Sequence, residues 1–139
     1  MHWPPRERPV TTGNRYLLDT NALVALLQGH SALQQKVQDA DWLGISVINA
    51  LEFLSFDGLS QHDQELFAAL SQRIEVLDVS IKNAALFTAI TELRKSKRLK
   101  LPDAIILASA AAHQAVLLTA DVQLLKCDEP GSALRVSAF

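Results

Sequence analysis

The stretch that decides the fold is residues 16–27, which read YLLDTNALVALL. A short apolar strand ends at Asp19, and the sequence then changes at once to helical periodicity. The apolar positions that share one helix face are Ala22, Leu23, Leu26 and Leu27. A buried strand that passes directly into a helix is typical of the repeating unit of an α/β domain.

The same alternation continues along the chain. Further strands are predicted at 43–47, 74–79 and 116–119, with a short last one at 134–136. Helices are predicted between them at 31–40, 48–56, 61–73, 81–97 and 102–114. The strands are apolar at successive positions, which indicates burial on both faces. We therefore predict an α/β fold, a three-layer α/β/α domain with a mainly parallel sheet of four or five strands.

Composition limits the possible functions. The chain has 139 residues, 49% of them hydrophobic, which suits one domain with a full core. A net charge of −2 argues against general polyelectrolyte binding to nucleic acid, and a single cysteine argues against disulfide or multi-cysteine zinc scaffolds. The polar, Pro-rich residues 1–14 predict a flexible arm before a domain at 15–139. With no signal peptide and no membrane-length apolar run, we expect a cytoplasmic protein without membrane contact.

Four isolated carboxylates are the most informative feature. Each is the only acidic residue for several positions on either side, in windows that otherwise look like core: they are Asp19, Glu52, Asp103 and Asp121. A carboxylate buried without a partner costs several kcal/mol, so each needs a helix cap, a cation or a pocket.

Local roles are available for three of the four. Asp19 suits the N-cap of the helix that follows it, Asp103 suits the first turn after Pro102, and Asp121 suits a turn after a strand. Glu52 has no such role, because it lies in the middle of an apolar helix.

The predicted topology brings all four to one place. In an open parallel sheet, ligand sites lie at the carboxyl ends of the strands, and the four acids follow strands or open helices at that edge. Carboxylates that converge repel one another, and a hard divalent cation offsets that repulsion. Oxygen ligands without His or Cys favour Mg²⁺, with Mn²⁺ as the alternative.

The ordered motifs resemble the PIN domain family, and within it the VapC-type toxins of bacterial toxin–antitoxin pairs. The resemblance rests on Leu-Leu-Asp19-Thr20-Asn21, on Glu52 six residues after Ser46, on Leu-Pro-Asp103, and on Leu-Leu-Thr119-Ala-Asp121. It covers about residues 15 to 127.

The resemblance implies a metal-dependent endoribonuclease. By this likeness the acidic quartet is catalytic and binds the metal, and Thr20, Asn21 and Thr119 are supporting polar residues. The expected partners are RNA, a small antitoxin and a second copy of the chain in a homodimer. Many relatives carry a further Asp before an aromatic residue beyond the fourth position. This chain has Val122-Gln123-Leu124-Leu125 there, so the number of metal ions stays open.

A basic run precedes the third acid. It contains five of the 13 basic residues, namely Arg94, Lys95, Lys97, Arg98 and Lys100. One interpretation is a solvated helix end whose cations complement the helix dipole. The other is an RNA-binding rim beside Asp103.

Two other classes of function remain alternatives. One is a non-catalytic PIN-like module that binds RNA or protein, and the other is a receiver-like Mg²⁺-binding signalling domain. Receiver domains have adjacent acids after the first strand, whereas Asp19 is followed by Thr20. RNA cleavage that EDTA abolishes distinguishes the enzyme from both.

Overall fold

A five-stranded, wholly parallel sheet forms the centre of the computed structural model, which describes residues 13–139. The strands are β1 (Arg15–Leu18), β2 (Trp42–Ser46), β3 (Glu75–Leu77), β4 (Val116–Leu118) and β5 (Val136–Ser137). Their order across the sheet is β3-β2-β1-β4-β5, so β1 is central. This confirms the predicted fold class, with five strands rather than four.

Seven helices occur in this part of the chain. They are α1 (Thr20–Leu27), α2 (Ser31–Gln38), α3 (Val47–Leu54), α4 (Gln61–Ser71), α5 (Ala84–Lys97), α6 (Leu101–Ala112) and α7 (Val122–Leu125). None of them is long and apolar enough to cross a bilayer.

Side chains alternate between the two faces of the sheet along each strand, and a layer of helices covers each face. Leu17 and Leu117 point into a core shared with α5 and α6. Their neighbours Leu18 and Leu118 point into the opposite core, shared with α1 to α4. Because strand side chains alternate between faces, a strand that is apolar at every position requires helices on both sides. The sheet is therefore the middle layer of three.

Several predicted boundaries differ from the structure by one to three residues, and one helix was missed. Helix α5 begins at Ala84 rather than at residue 81, because the Asn83 side chain caps it by accepting a hydrogen bond from the Leu86 amide. The short helix α7 was not predicted as a helix.

Of the predicted N-terminal arm, residues 1–12 lie outside the described part, while Asn14 bonds to Asp41 through its backbone amide.

Candidate metal and nucleic-acid site

Asp19 is the centre of the site. It follows β1 directly, and its backbone amide bonds to the Leu118 carbonyl on β4, which holds it at the carboxyl edge of the sheet. Its side chain is 7% exposed. One carboxylate oxygen, Oδ1, accepts from the Thr20 amide at 2.8 Å. The predicted capping role at α1 is therefore real, but it is only one of several contacts.

The other carboxylate oxygen of Asp19 faces β4. Oδ2 accepts from the Thr119 hydroxyl at 2.7 Å and from Asn21 Nδ2 at 3.3 Å. Asn21 in turn accepts from the Ala120 amide at 2.9 Å. The three polar residues suggested by the family resemblance, Thr20, Asn21 and Thr119, thus all lie against Asp19 or its loop.

Asn49 completes the environment of Asp19, and it was not predicted from the sequence. It lies on α3, is fully buried, and donates from Nδ2 to Asp19 Oδ1 at 3.1 Å. The available signal was an amide side chain within the apolar run that contains Glu52. Capping α1 does not require Asn49. Together the four donors, from Thr20, Asn21, Asn49 and Thr119, hold the Asp19 carboxylate in a fixed position.

The remaining acids interact with Asp19 electrostatically. Burial raises the pKa of Glu52, and the Asp19 charge raises it further. Burial likewise raises the pKa of Asp103, with added contributions from Asp121 and Asp19, against a smaller lowering by Lys100. These like-charge contributions indicate that Glu52 lies near Asp19 and Asp103, and that Asp103 lies near Asp19 and Asp121.

Asp121 has both a local and a longer-range role. Its side chain caps α7 by accepting from the Gln123 amide at 2.8 Å. Its own amide donates to the Thr119 hydroxyl at 3.0 Å, which connects it to the Asp19 network. The local capping interpretation and membership of the acidic edge are therefore compatible.

The donor set fits a hard cation. Within residues 13–139 no three acidic, His or Cys side chains are already close enough to enclose an ion. Mg²⁺ is commonly held by one or two carboxylates and several waters, so a closed cage is unnecessary. In the same range the only ion pair joins Lys97 to Glu129, which leaves all four acids without a cationic side chain in direct contact.

A cleft connects part of the basic run with two of the acids. It has a volume of about 270 Å³ and is lined by Lys97, Arg98, Leu99, Lys100, Asp103, Asp121 and Gln123. Arg94 and Lys95 lie one turn back on α5 and do not line it. Only the end of the predicted RNA-binding run therefore faces the acidic edge.

Comparison with protein families decides the identity. The PIN domain profile matches residues 16–130, which include every member of the acidic quartet. The chain belongs to the PIN domain family. No match was found among curated protein sequences.

Solved structures support the same assignment of the PIN domain. A toxin–antitoxin complex from Klebsiella pneumoniae is 29% identical, with a TM-score of 0.67, and the match covers 88% of this chain and 95% of that one. VapBC2 from Rickettsia felis, bound to a promoter DNA fragment, is 22% identical with a TM-score of 0.71, over 90% and 98% of the two chains. VapBC from Salmonella typhimurium, at 21% identity and a TM-score of 0.65, covers 91% and 98%. The fold is that of a VapC-like PIN domain.

Proposed function

We propose that this PIN domain is a Mg²⁺-dependent endoribonuclease and the toxin of a toxin–antitoxin pair. The observation that carries the proposal is the buried Asp19 carboxylate, which has four hydrogen-bond donors and no cationic partner among residues 13–139, at an edge with three more acids. A buried carboxylate beside other acids and without a cationic partner does not favour folding, but it suits the binding of a cation.

The residues that would hold Mg²⁺ are Asp19, Glu52, Asp103 and Asp121, and Mn²⁺ is the alternative ion. When bound, the ion supplies an activated water and neutralises charge at the scissile phosphate. Thr119, Asn21 and the Thr20 amide keep the Asp19 carboxylate in place. Arg98 and Lys100 line the cleft beside Asp103, where cations attract the RNA backbone.

The test is cleavage of a mixed RNA sample by the purified protein. We expect cleavage with Mg²⁺, none with EDTA, and recovery when excess Mg²⁺ is restored. Asp103→Asn keeps the size of the side chain while removing its charge, and it controls for a contaminating nuclease because that variant must be inactive. RNA binding without cleavage in any of these conditions favours the non-catalytic alternative.

A small antitoxin partner is the second part of the proposal. The Klebsiella, Rickettsia and Salmonella structures are described as complexes of toxin and antitoxin, or as VapBC pairs. This chain has a groove of about 300 Å³ that none of the four acids lines, with apolar side chains that include Val24, Leu27, Phe53 and Phe56. Asp57 and Asp63 also line it, so it suits an apolar segment flanked by Lys or Arg.

The antitoxin is sought in the neighbouring short reading frame. We expect its product to copurify with this protein and to suppress RNA cleavage. Phe56→Ser changes an exposed residue of the groove and is expected to weaken that complex while leaving cleavage intact.

We also propose a cytoplasmic homodimer. A mainly apolar cleft of about 230 Å³ lies between α5 and α6, lined by Val79, Phe87, Ile90, Thr91, Leu101 and Ile105. Ile81, which precedes α5, is 76% exposed. Sedimentation equilibrium is expected to give twice the mass of the chain, and Ile105→Glu is expected to give the monomer.

A further inference from the structure

Asn49 is a buried amide whose two hydrogens both point at the acidic edge. Its Nδ2 donates to Asp19 Oδ1 at 3.1 Å and to Thr20 Oγ1 at 2.9 Å. The side chain is fully buried on α3, a helix that is otherwise mainly apolar. Asn49 lies in the first turn of α3, but its side-chain oxygen accepts no backbone amide, so it does not cap the helix; the N-cap is Ser46.

The amide oxygen shows that the contact is made at a cost. Asn49 Oδ1 is buried and has no hydrogen-bond partner among residues 13–139. Rotating the amide by half a turn would direct this oxygen at the Asp19 carboxylate, so the charge of Asp19 fixes the orientation. A buried acceptor without a partner is unfavourable, and an alanine here would avoid it. The unpartnered oxygen therefore offsets part of the stability that the two hydrogen bonds donated by Asn49 contribute.

The second hydrogen of Asn49 is donated to the hydroxyl oxygen of Thr20, the residue that follows Asp19. Because Thr20 Oγ1 accepts from Asn49, the Thr20 hydroxyl hydrogen is free to donate elsewhere. Asn49 thus contacts the Asp19 carboxylate directly and also holds the side chain of Thr20, the residue that follows Asp19.

We infer that Asn49 is a positioning residue, whose amide fixes the Asp19 carboxylate and the neighbouring Thr20 side chain in the orientation that binds a metal ion. This inference rests on the proposed function. Residues that orient metal ligands in this way typically change metal affinity or activity by about 10- to 100-fold when they are removed.

The experiment compares Asn49→Ala with wild type in full Mg²⁺ titrations. We expect the Mg²⁺ concentration for half-maximal cleavage to rise at least about tenfold and kcat to fall, while the KM for RNA changes less than about twofold. Asn49→Thr keeps one donor and is expected to lie between the two. Asn49→Thr also replaces Asn49→Ala in these measurements if the alanine variant does not fold. Ser109→Ala is the matched control, because Ser109 is buried but bonds only within α6, to the Ile105 carbonyl.

Thermal melts with and without Mg²⁺ give a readout that is independent of cleavage. We expect Mg²⁺ to raise the midpoint of wild type and of Ser109→Ala more than that of Asn49→Ala. A lower midpoint for Asn49→Ala together with an unchanged Mg²⁺ titration and kcat means a purely structural role, and overturns the inference.

If wild type does not cleave RNA, the proposed function fails and the melts alone decide about Asn49. A Mg²⁺-induced rise in wild type that Asn49→Ala reduces still supports positioning. An equal rise in both proteins, or no rise in wild type, overturns it.

Discussion

The Thr119 hydroxyl donates to Asp19 Oδ2 at 2.7 Å, joining two buried side chains that are 100 residues apart in sequence. The same oxygen of Thr119 accepts from the Asp121 amide at 3.0 Å. One hydroxyl therefore sets the position of one acid and of the loop that carries another.

Replacing this hydroxyl tests the connection. Thr119→Val keeps the shape but leaves Asp19 without its shortest hydrogen bond and the Asp121 amide without its acceptor. We expect a decrease of about 1–3 kcal/mol in the free energy of unfolding, measured by urea denaturation, and slower cleavage. Thr119→Ser keeps the hydroxyl and is expected to retain most of both. A larger decrease in Thr119→Ser than in Thr119→Val would show that the methyl group, and not the hydroxyl, matters.

Asp19→Asn separates capping from charge. Asparagine caps helices as well as aspartate does, so a residue that only caps α1 would tolerate the change. The structure predicts otherwise, since an NH₂ group would replace an oxygen that now accepts from two donors. We expect destabilisation by about 1–3 kcal/mol and a reduction of cleavage greater than about 100-fold. Full cleavage by this variant would exclude Asp19 as a metal ligand.

Through Asp103 and Glu52, a lower pH is expected to increase the stability of the metal-free protein. Burial raises the pKa of Asp103, and of Glu52, in the folded state. From about pH 4 upward the folded protein therefore keeps protons that the unfolded chain has released, and stability falls as pH rises through the two folded pKa values.

Neutral substitutions at Asp103 and Glu52 test whether stability falls as pH rises. Asp103→Asn and Glu52→Gln are expected to raise the thermal midpoint at pH 7 in EDTA and to have little effect near pH 3, where wild type is also protonated. Glu92→Gln, on the exposed side of α5, serves as the control. Saturating Mg²⁺ should reverse the order, with wild type gaining most. A lower midpoint at pH 7 in EDTA for both variants contradicts the prediction.

RNA binding is expected to depend on the end of the basic run. Lys97 bonds to Glu129 at 3.1 Å, which leaves Arg98 and Lys100 as the cleft-lining cations without an ion pair. Removing both is expected to weaken binding and to reduce the salt slope by about 0.7 for each RNA phosphate that is no longer neutralised.

The matched control removes two charges one turn away. Arg98→Asn with Lys100→Gln is compared with Arg94→Gln and Lys95→Gln, and binding is measured across a salt series. Asparagine is used at residue 98 because that residue has a φ of 54°, which asparagine tolerates. Identical salt slopes in the two double variants would favour the solvated-helix interpretation of the run.

Gly44 is required by the packing of Trp42. A Cβ at residue 44 would lie 2.5 Å from Cη2 of the Trp42 ring, which is held by a bond from Nε1 to Glu75. Gly44→Ala is expected to cost about 1–3 kcal/mol in chemical denaturation. In a Trp42→Phe background the ring is smaller, so the same alanine should cost much less. An equal cost in both backgrounds would assign the effect to the strand itself.

The order and type of most elements were predictable because they depend on local pattern. Strands β1, β2 and β4 are apolar on both faces, which already implied covering helices on each side. Asp19 and Asp121 were placed at one edge by the rule that parallel strands end together. Their electrostatic coupling to Asp103 and Glu52 needed the structure, because it depends on burial.

Asn49 was not predictable from spacing. Its partners Asp19 and Thr20 are about 30 residues away, and only the packing of α3 against α1 brings them together. The roles of the basic residues were also unresolved in sequence, since Arg94 and Arg98 look equivalent until the end of α5 is located. Tertiary contacts, rather than local propensity, decide both cases.

The central position of β1 has a consequence for synthesis of the protein. Both neighbours of β1 must pair with it, yet β4 leaves the ribosome about 100 residues later. Until then Asp19 lacks the Thr119 hydroxyl, and Asp121, which follows β4, is missing as well. Pairings this distant in sequence form late. A nascent chain therefore cannot complete its acidic edge until β4 has been synthesised and has paired with β1.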